Sequence, residues 1–233
     1  MSKFLRKVKR ILKSLIGKDF FIKEQIKVDK VMHGGENGYG GWDIYEEGLN
    51  ANSIVYSFGV GEDASFDISI IKKFGVIVNA FDPTPKSIAW VKQQNFPSKF
   101  KMYEYGLADY DGSISFNPPE NPEHVSHTIL GRDETSKDSI DVKVKKLETI
   151  LKELNHSHID LLKMDIEGAE YQVIDSLIKS NIRPKQLLIE FHHRFPSVGI
   201  NKSKNAIRQL SEIGYLIFSV SDSGEEYSFI HKI

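Results

Sequence analysis

The stretch Ile54-Val55-Tyr56-Ser57-Phe58-Gly59-Val60-Gly61-Glu62-Asp63-Ala64 decides the fold class of this 233-residue chain. Its β-branched and aromatic half predicts a strand, and its glycines predict a turn into the helical pattern that follows. Asp82 comes 23 residues after Gly59, at the end of the next apolar run. Glycines let the backbone approach a ligand at the mouth of a parallel sheet, and an acid on the next strand tip can bind ribose hydroxyls. This pairing predicts a nucleoside site on an α/β sheet.

Short apolar runs alternate with helical patterns from residue 54 to the end of the chain, which is typical of βαβ units. The predicted strands are residues 54–58, 76–81, 100–105, 159–164, 186–191, 215–220 and 226–230, and the predicted helices lie around 64–74, 85–94, 146–155, 168–180 and 202–213. The short link 221–225 predicts a hairpin between the last two strands. We therefore predict an α/β fold with a doubly wound, mostly parallel seven-stranded sheet and a C-terminal antiparallel strand, with residues 112–139 as a loop.

Composition excludes several classes of protein. The charges of the 31 basic and 32 acidic residues nearly cancel, so the protein has no overall positive charge that would attract nucleic acid. Cysteine is absent, which excludes disulfides, thiol catalysis and Cys-ligated zinc. No apolar run approaches the roughly 20 residues that span a bilayer, and no secretory signal is visible. We predict a cytoplasmic protein, with the inner face of the membrane as an alternative location and homo-oligomerisation left open.

The first 18 residues predict a basic amphipathic helix. They contain seven lysines and arginines and no acid, and their apolar residues recur at helical spacing. Such a helix can lie on an anionic membrane surface, or it can pack its apolar stripe on the domain and leave its lysines in water. We favour packing on the domain. The predicted organisation is an N-terminal part, 1–48, with this helix and a glycine-rich loop, followed by the main domain, 49–233.

The glycine-rich segment from His33 to Trp42 has five glycines within ten residues. Such a density of glycine opposes the interior of a helix or a strand, so the segment is predicted to be a loop. Because it also carries aromatic residues, we expect the loop to close over a ligand, with Tyr39 and Trp42 contacting the substrate.

Carboxylates and histidines follow two of the predicted strands. The run from Asp160 to Glu170 ends in Asp165, Glu167 and Glu170, and strand tips are where open α/β sheets bind ligands. Glu170 falls inside the following helix and is interpreted as structural. The next strand ends in Glu190, followed by His192, His193 and Arg194, which are predicted to contact substrate or to take part in chemistry. The alternative for one of the two histidines is a hydrogen-bonded position in the core.

A dinucleotide enzyme is the main competing interpretation, because Gly59, Gly61 and Ala64 also match the dinucleotide fingerprint. Glu62 and Asp63 argue against it, since two negative charges at a helix N-terminus repel a pyrophosphate. S-adenosylmethionine has no phosphate and carries a cationic sulfonium and ammonium, so these acids are compatible with it. A C-terminal antiparallel strand and the lack of a second substrate domain also favour S-adenosylmethionine over a dinucleotide.

The chain resembles the FkbM family of S-adenosylmethionine-dependent methyltransferases. The resemblance rests on Asp160 to Glu170 above all, and further on Gly59-Val60-Gly61, Ala80-Phe81-Asp82-Pro83, Tyr105-Gly106-Leu107-Ala108-Asp109 with Asp111-Gly112, and Ser126-His127-Thr128. It implies an enzyme that methylates a hydroxyl of a sugar, polysaccharide or natural product. It also implies the cofactor contacts: Gly59 and Gly61 at the methionine part, Asp82 at the ribose, and Leu107, Ala108 and Asp109 at the adenine.

The sequence departs from the methyltransferase pattern at two positions. An acid often stands two residues before the first glycine, where this chain has Ser57, so Glu62, Asp63 or Asp165 is expected to meet the ammonium instead. A third glycine is common where Asp63 stands. This loop must therefore accommodate a side chain.

Methyl transfer to an aliphatic hydroxyl needs a group that removes the proton, and the candidates are Asp165, Glu167, His192 and His127. We favour His192, which alternation places on one strand face with Glu190. A divalent metal held by Asp165, Glu190 and a histidine is a less favoured alternative, and no metal site is assigned. Two other functions stay open: an NAD-dependent sugar oxidoreductase and a non-catalytic nucleoside-binding module.

Overall fold

The computed structural model describes residues 3–15, 17, 19–36, 39–116, 139–195 and 197–232. Within these residues the elements, in chain order, are α1 (Lys3–Leu15), β1 (Val31–Glu36), β2 (Tyr39–Tyr45), β3 (Ile54–Phe58), α2 (Ser65–Phe74), β4 (Ile77–Phe81), α3 (Pro85–Gln93), β5 (Phe100–Tyr103), β6 (Gly106–Leu107), β7 (Gly112–Phe116), β8 (Ile140–Lys145), α4 (Leu147–Glu153), β9 (Leu161–Met164), α5 (Glu170–Lys179), β10 (Gln186–Glu190), α6 (Ile200–Glu212), β11 (Tyr215–Val220) and β12 (Glu226–His231).

A seven-stranded sheet forms the centre, in the order β11-β12-β10-β9-β3-β4-β5. Strands β10, β9, β3, β4 and β5 are parallel, whereas β12 lies antiparallel between β10 and β11. Each of these strands and the helices after them lie within a few residues of the predicted bounds. The predicted doubly wound sheet with a C-terminal antiparallel strand is confirmed.

Two apolar cores cover the two faces of the sheet. One face packs against α4, α5 and α6, and its cluster includes Ile150, Ile174 and Leu210. The other packs against α2, α3 and the N-terminal strands, with Trp42 and Ile70 in its cluster. Because both faces are covered, the central strands are mostly apolar, as parallel strands usually are, with Ser57, Asn79 and Lys163 as buried polar exceptions.

The predicted glycine-rich loop is wrong, because His33 to Trp42 falls mostly in β1 and β2, which pair antiparallel; residues 37 and 38 lie outside the described residues. Glycine is needed here for close packing. A Cβ on Gly34 would lie 2.9 Å from Ile44 Cδ1 and 3.0 Å from Ser69 Oγ of α2. The glycines thus let this hairpin approach α2, and the backbone pairing outweighs their poor strand propensity.

Part of the predicted loop 112–139 is also strand. Residues 112–116 form β7, which pairs antiparallel with β8, and β8 pairs with β6 in a small second sheet. Polar and apolar residues alternate only weakly in β7, and the prolines that follow it favour the prediction of a loop. Residues 117–138 lie outside the described residues.

The N-terminal helix docks by its polar side, contrary to the favoured interpretation. Arg10 is buried and donates to Tyr227 Oη at 3.1 Å, and its guanidinium lies 5.2 Å from the ring centre of Phe21. The apolar side chains of Val8, Ile11, Leu12 and Leu15 are exposed instead. These four side chains of the apolar stripe therefore face away from the domain; the side chains of Phe4, Leu5 and Ile16 are not among those described.

We predict that Gly34→Ala destabilises the protein by about 1–3 kcal/mol through overpacking, which lowers the melting temperature by roughly 3–9 °C. Ile44→Val removes the Cδ1 atom that the new methyl group would meet. The double variant should therefore lose less stability than the two single variants added together. Thermal unfolding of the four proteins measures this coupling, and simple additivity would contradict the packing explanation.

Candidate functional site

The main cleft opens where β3, β4, β9 and β10 end, and it has a volume of about 340 Å³. Because these strands are parallel, their carboxyl ends meet at one edge of the sheet, where α/β proteins bind ligands. The cleft collects most of the predicted site residues: Trp42, Gly59, Gly61, Glu62, Asp63, Asp82, Leu107, Asp165, Glu167 and Glu190.

The glycine turn is held by Asp82. One carboxylate oxygen accepts the backbone N–H groups of Val60 and Gly61 at 3.0 and 2.9 Å, and the other accepts both the N–H and the hydroxyl of Thr84 at 2.9 and 2.6 Å. Gly59 and Gly61 both have positive φ, which glycine adopts readily. Asp82 thus shapes the turn, in addition to its predicted role at the ribose.

Asp63 has a structural partner as well. Its carboxylate accepts the backbone N–H of Ser65 at 2.8 Å and the Ser65 hydroxyl at 3.0 Å, at the start of α2. A carboxylate therefore already occupies the helix N-terminus at which a pyrophosphate binds in dinucleotide enzymes. Glu62, also in the cleft, lies 3.4 Å from the Lys86 ammonium.

Two buried charges in the cleft, Asp67 and Lys163, were missed by the sequence interpretation. Lys163 Nζ donates to the carbonyl oxygens of Gly59 and Phe58 at 3.0 and 3.4 Å and lies 5.6 Å from the ring centre of Trp42. Asp67, on α2, is buried. Burial raises its pKa to about 6, although the charge of Lys163 lowers it. A lysine within the apolar strand β9 is a signal in the sequence, because buried charges rarely occur without a function.

Two buried polar atoms lie beneath the glycine turn. Among the described residues, Asp67 Oδ1 and Ser57 Oγ make no hydrogen bond of good geometry, although the Ser57 hydroxyl is near enough to lower the pKa of Asp67. A buried polar atom without a partner costs about 1–3 kcal/mol, so such atoms commonly mark a place for a ligand or a water molecule.

His192 lies behind the acids and does not line the cleft. Its Nδ1 is 3.3 Å from Glu170 Oε1, and its Nε2 is 3.3 Å from Glu167 Oε2 and 3.9 Å from Asp165 Oδ1. Burial alone lowers the pKa of His192, but the hydrogen bond and charge of Glu170, with the charges of Glu167 and Glu190, raise it to about 10. The imidazole therefore holds its proton at neutral pH and acts as a cation among carboxylates. Glu170, and not Glu190, orients the ring, because Glu170 Oε1 is the partner of His192 Nδ1.

Glu170 is structural, as its position in the helix indicated. Its side chain is fully buried and accepts the backbone N–H groups of Gly168 at 2.8 Å and His192 at 3.0 Å. Its pKa is lowered, because these hydrogen bonds and the His192 charge outweigh burial. Glu170 thus ties the turn after β9 to the turn after β10.

Asp165, Glu190 and His192 each offer one ligand atom, and these atoms lie within 4.8 Å of one another. Burial and the charge of Asp165 raise the pKa of Glu190 far above its usual range, to about 10. Oxygen and imidazole ligands at this spacing suit a divalent cation. The cluster matches the metal site of Asp165, Glu190 and a histidine that the sequence gives as a less favoured alternative.

Glu167 has an unusual backbone conformation. Its φ is +51°, and Gly168 follows with φ of +104°. A non-glycine residue with positive φ is strained, and such strain concentrates at functional sites. The turn places the Glu167 side chain in the cleft wall, next to Asp165 and Ile166.

The remaining predicted residues lie outside the cleft or outside the described part of the chain. Ala108 is buried next to Leu107, and Asp109 is exposed. His193 pairs with Asp19 at 3.0 Å. Arg194 pairs with Asp19 and Glu225 and thereby joins the N-terminal segment to the C-terminal hairpin. The Tyr39 side chain and His127 lie outside the described residues.

Comparison with known proteins gives a consistent result. The family described as the methyltransferase FkbM domain matches residues 47–217. The probable methyltransferase-like protein 24 of Homo sapiens is 27% identical over 195 residues, covering 78% of this chain and 47% of that protein, and its Rattus norvegicus counterpart is 27% identical over 156 residues, covering 66% and 36%. The chain therefore spans about half the length of these relatives or less.

A solved structure shows the same fold. The crystal structure of methyltransferase FkbM from Methylobacillus flagellatus matches with a TM-score of 0.51 at 15% identity, covering 78% of this chain and 44% of that one.

We predict that Asp82→Ala destabilises the protein by about 3 kcal/mol or more, because three backbone N–H groups lose their acceptor. Thr84→Ala keeps the carboxylate on the glycine turn and should cost only about 1 kcal/mol. Thermal unfolding compares the two, and calorimetry with S-adenosylhomocysteine should show weaker binding to Asp82→Ala alone. Equal effects of the two variants would show that Asp82 does not shape the turn.

Proposed function

Because the chain belongs to the FkbM methyltransferase family, we propose that it transfers the methyl group of S-adenosylmethionine to a hydroxyl of a sugar, polysaccharide or natural product. The observation that supports this most is the convergence of the glycine turn and the carboxylates of β9 and β10 on one cleft. A methyl donor at the turn and a hydroxyl at the carboxylates would then be neighbours. Holding two reactants in line is the main requirement of this displacement.

The charge of the cleft supports a methyl donor over a dinucleotide. Glu62 and Asp63 line it beside the glycine turn, and Asp63 already occupies the start of α2. Acids at this place repel a pyrophosphate but tolerate a sulfonium cation. The acids at the other end of the cleft, including Glu167 and Glu226, favour an acceptor that is uncharged or cationic over a phosphorylated one.

Asp67 and Lys163 suit the amino-acid end of the cofactor. That end is a zwitterion, with an ammonium and a carboxylate on one carbon. Asp67 has a buried carboxylate oxygen without a hydrogen bond of good geometry, and the hydrogen bonds described for the Lys163 ammonium go to carbonyl oxygens. We propose that Asp67 binds the ammonium and Lys163 the carboxylate. Asp67 thereby replaces the acid that many methyltransferases carry at the position of Ser57.

The Asp67→Asn variant tests this assignment. It should weaken S-adenosylhomocysteine binding by about 10- to 100-fold, the loss expected for a buried charge-assisted hydrogen bond. Methylthioadenosine lacks the amino-acid end and should bind wild type and variant alike. Asp175→Asn, an exposed change on α5, is the control. Equal losses for both ligands would contradict the assignment, and no binding of either ligand to wild type would contradict the cofactor itself.

The same assignment predicts a pH dependence. Because burial raises the pKa of Asp67 to about 6, the carboxyl is mostly neutral near pH 5 and ionised near pH 7. An ammonium ligand is bound by the ionised form, so S-adenosylhomocysteine affinity should rise from about pH 5 to 7. Calorimetry at several pH values measures this rise, which should be absent for Asp67→Asn and for methylthioadenosine.

Proton removal from the acceptor is assigned to Glu167. His192, favoured from the sequence, is already protonated and does not line the cleft, whereas the Glu167 carboxylate does. Asp165 is not assigned this role, because it shares a hydrogen bond with Glu190, which keeps its proton. In the proposed step the acceptor oxygen gains the methyl carbon, the sulfur–carbon bond breaks, and the hydroxyl proton passes to Glu167. His192 is a positioning residue that holds Glu167 in place and balances its charge.

We predict that Glu167→Gln lowers turnover by about 10²- to 10⁴-fold and leaves S-adenosylhomocysteine affinity unchanged, because a base acts mainly in the transition state. Transfer of radiolabelled methyl groups to a panel of neutral glycans measures turnover, with Glu148→Gln as the exposed control. Near-normal turnover would contradict the assignment. If activity is also lost with chelator and restored by magnesium or manganese, the cation site of Asp165, Glu190 and His192 becomes the explanation.

A further inference from the structure

The apolar stripe of α1 is an exposed surface without a partner in the described part of the chain. Val8, Ile11, Leu12 and Leu15 are 36%, 39%, 58% and 77% exposed. The described residues contain only three other large exposed apolar side chains, Val31, Ile77 and Tyr110, which are far apart in the sequence. Apolar side chains scattered singly are ordinary, but a contiguous stripe on one short helix indicates a binding surface.

The orientation of α1 is fixed from its opposite side. The buried Arg10 guanidinium donates to Tyr227 Oη and, at 3.4 Å, to the carbonyl oxygen of Ser221. It lies over Gly224, where any side chain would overlap it. In a helix with 3.6 residues per turn, Arg10 is on the side opposite to Val8, Leu12 and Leu15. The domain therefore presents the stripe to the outside.

The charge of the segment indicates what covers the stripe. Residues 1–18 carry seven basic residues and no acid, although the whole chain has nearly equal numbers of basic and acidic residues. A helix with an apolar stripe and an excess of lysine and arginine binds along an anionic membrane surface. Its apolar side chains enter the boundary between headgroups and acyl chains, and its cations meet the anionic headgroups. An apolar protein groove would explain the stripe but not the charge.

We propose that α1 docks the protein on an anionic lipid bilayer, with the stripe of Val8, Ile11, Leu12 and Leu15 inserted into the interface and the main domain held outside it through Arg10. The helix has 13 residues, about 20 Å in length, which suits binding in the plane of the surface. In the described ranges, none of the helices combines the length and apolar character that crossing a membrane requires. The proposal does not depend on the reaction carried out in the cleft.

Flotation of the full chain with vesicles tests the proposal. Wild type should float with phosphatidylcholine vesicles that contain phosphatidylglycerol, and at least tenfold less with pure phosphatidylcholine or at high salt. Leu12→Ser with Leu15→Ser should reduce partition by tenfold or more. Both side chains are exposed, so the melting temperature should not change. Val31→Ser, which removes an exposed apolar side chain from β1, is the matched control and should float like wild type.

Three outcomes would overturn the proposal: wild type that does not float with anionic vesicles, a double serine variant that floats like wild type, or binding that is equal with zwitterionic vesicles. Analytical ultracentrifugation without lipid adds a fourth. If wild type forms a dimer that the double serine variant does not form, a second copy of the chain covers the stripe instead.

Discussion

The site depends on how closely two strand ends approach each other at Gly59. The backbone N–H of Asp165 donates to the carbonyl oxygen of Phe58 at 3.1 Å, and that of Gly59 donates to Phe81 at 3.0 Å. A side chain on Gly59 would overlap the Asp165 carbonyl group. Only glycine lets the tip of β3 lie this close to the tip of β9. The glycine turn and the acids that follow β9 are neighbours for this reason.

The charges around this contact form a balanced set. Lys163 places a buried cation on the carbonyl of Gly59, and His192 places a second one among Glu167, Glu170 and Asp165. If neither cation were present, these carboxylates would have to move apart, because like charges at short range repel strongly in a poorly solvated site. The two cations therefore let the cleft hold many acids without unfolding its walls. Glu190 keeps its proton instead, because burial and the charge of Asp165 raise its pKa more than the charge of His192 lowers it.

Sequence patterns predicted the parallel sheet well, because apolar periodicity and glycine turns are local properties. The same patterns brought Asp165, Glu167 and Asp82 to one edge correctly. They did not predict the hairpin of β1 and β2, whose glycines are required by contacts with Ile44 and Ser69. Asp67 was missed because a single acid on a helix looks solvated. For His192, strand alternation alone could not show that its pKa depends on carboxylates from two different turns.

Unsatisfied groups in the cleft connect stability to function. Asp67 is buried with an unpaired oxygen, and Glu167 keeps a left-handed backbone that glycine would adopt more easily. Each feature makes the free protein less stable, since an unpaired buried group and a strained residue both cost free energy. A ligand that pairs with Asp67 removes part of this cost, so binding and folding become coupled at this site. Residues that lower the stability of the free protein are expected where they are retained for binding or chemistry. Because Asp67 and Glu167 line the same cleft as Gly59, a ligand bound at the glycine turn would recover part of this cost where it contacts them.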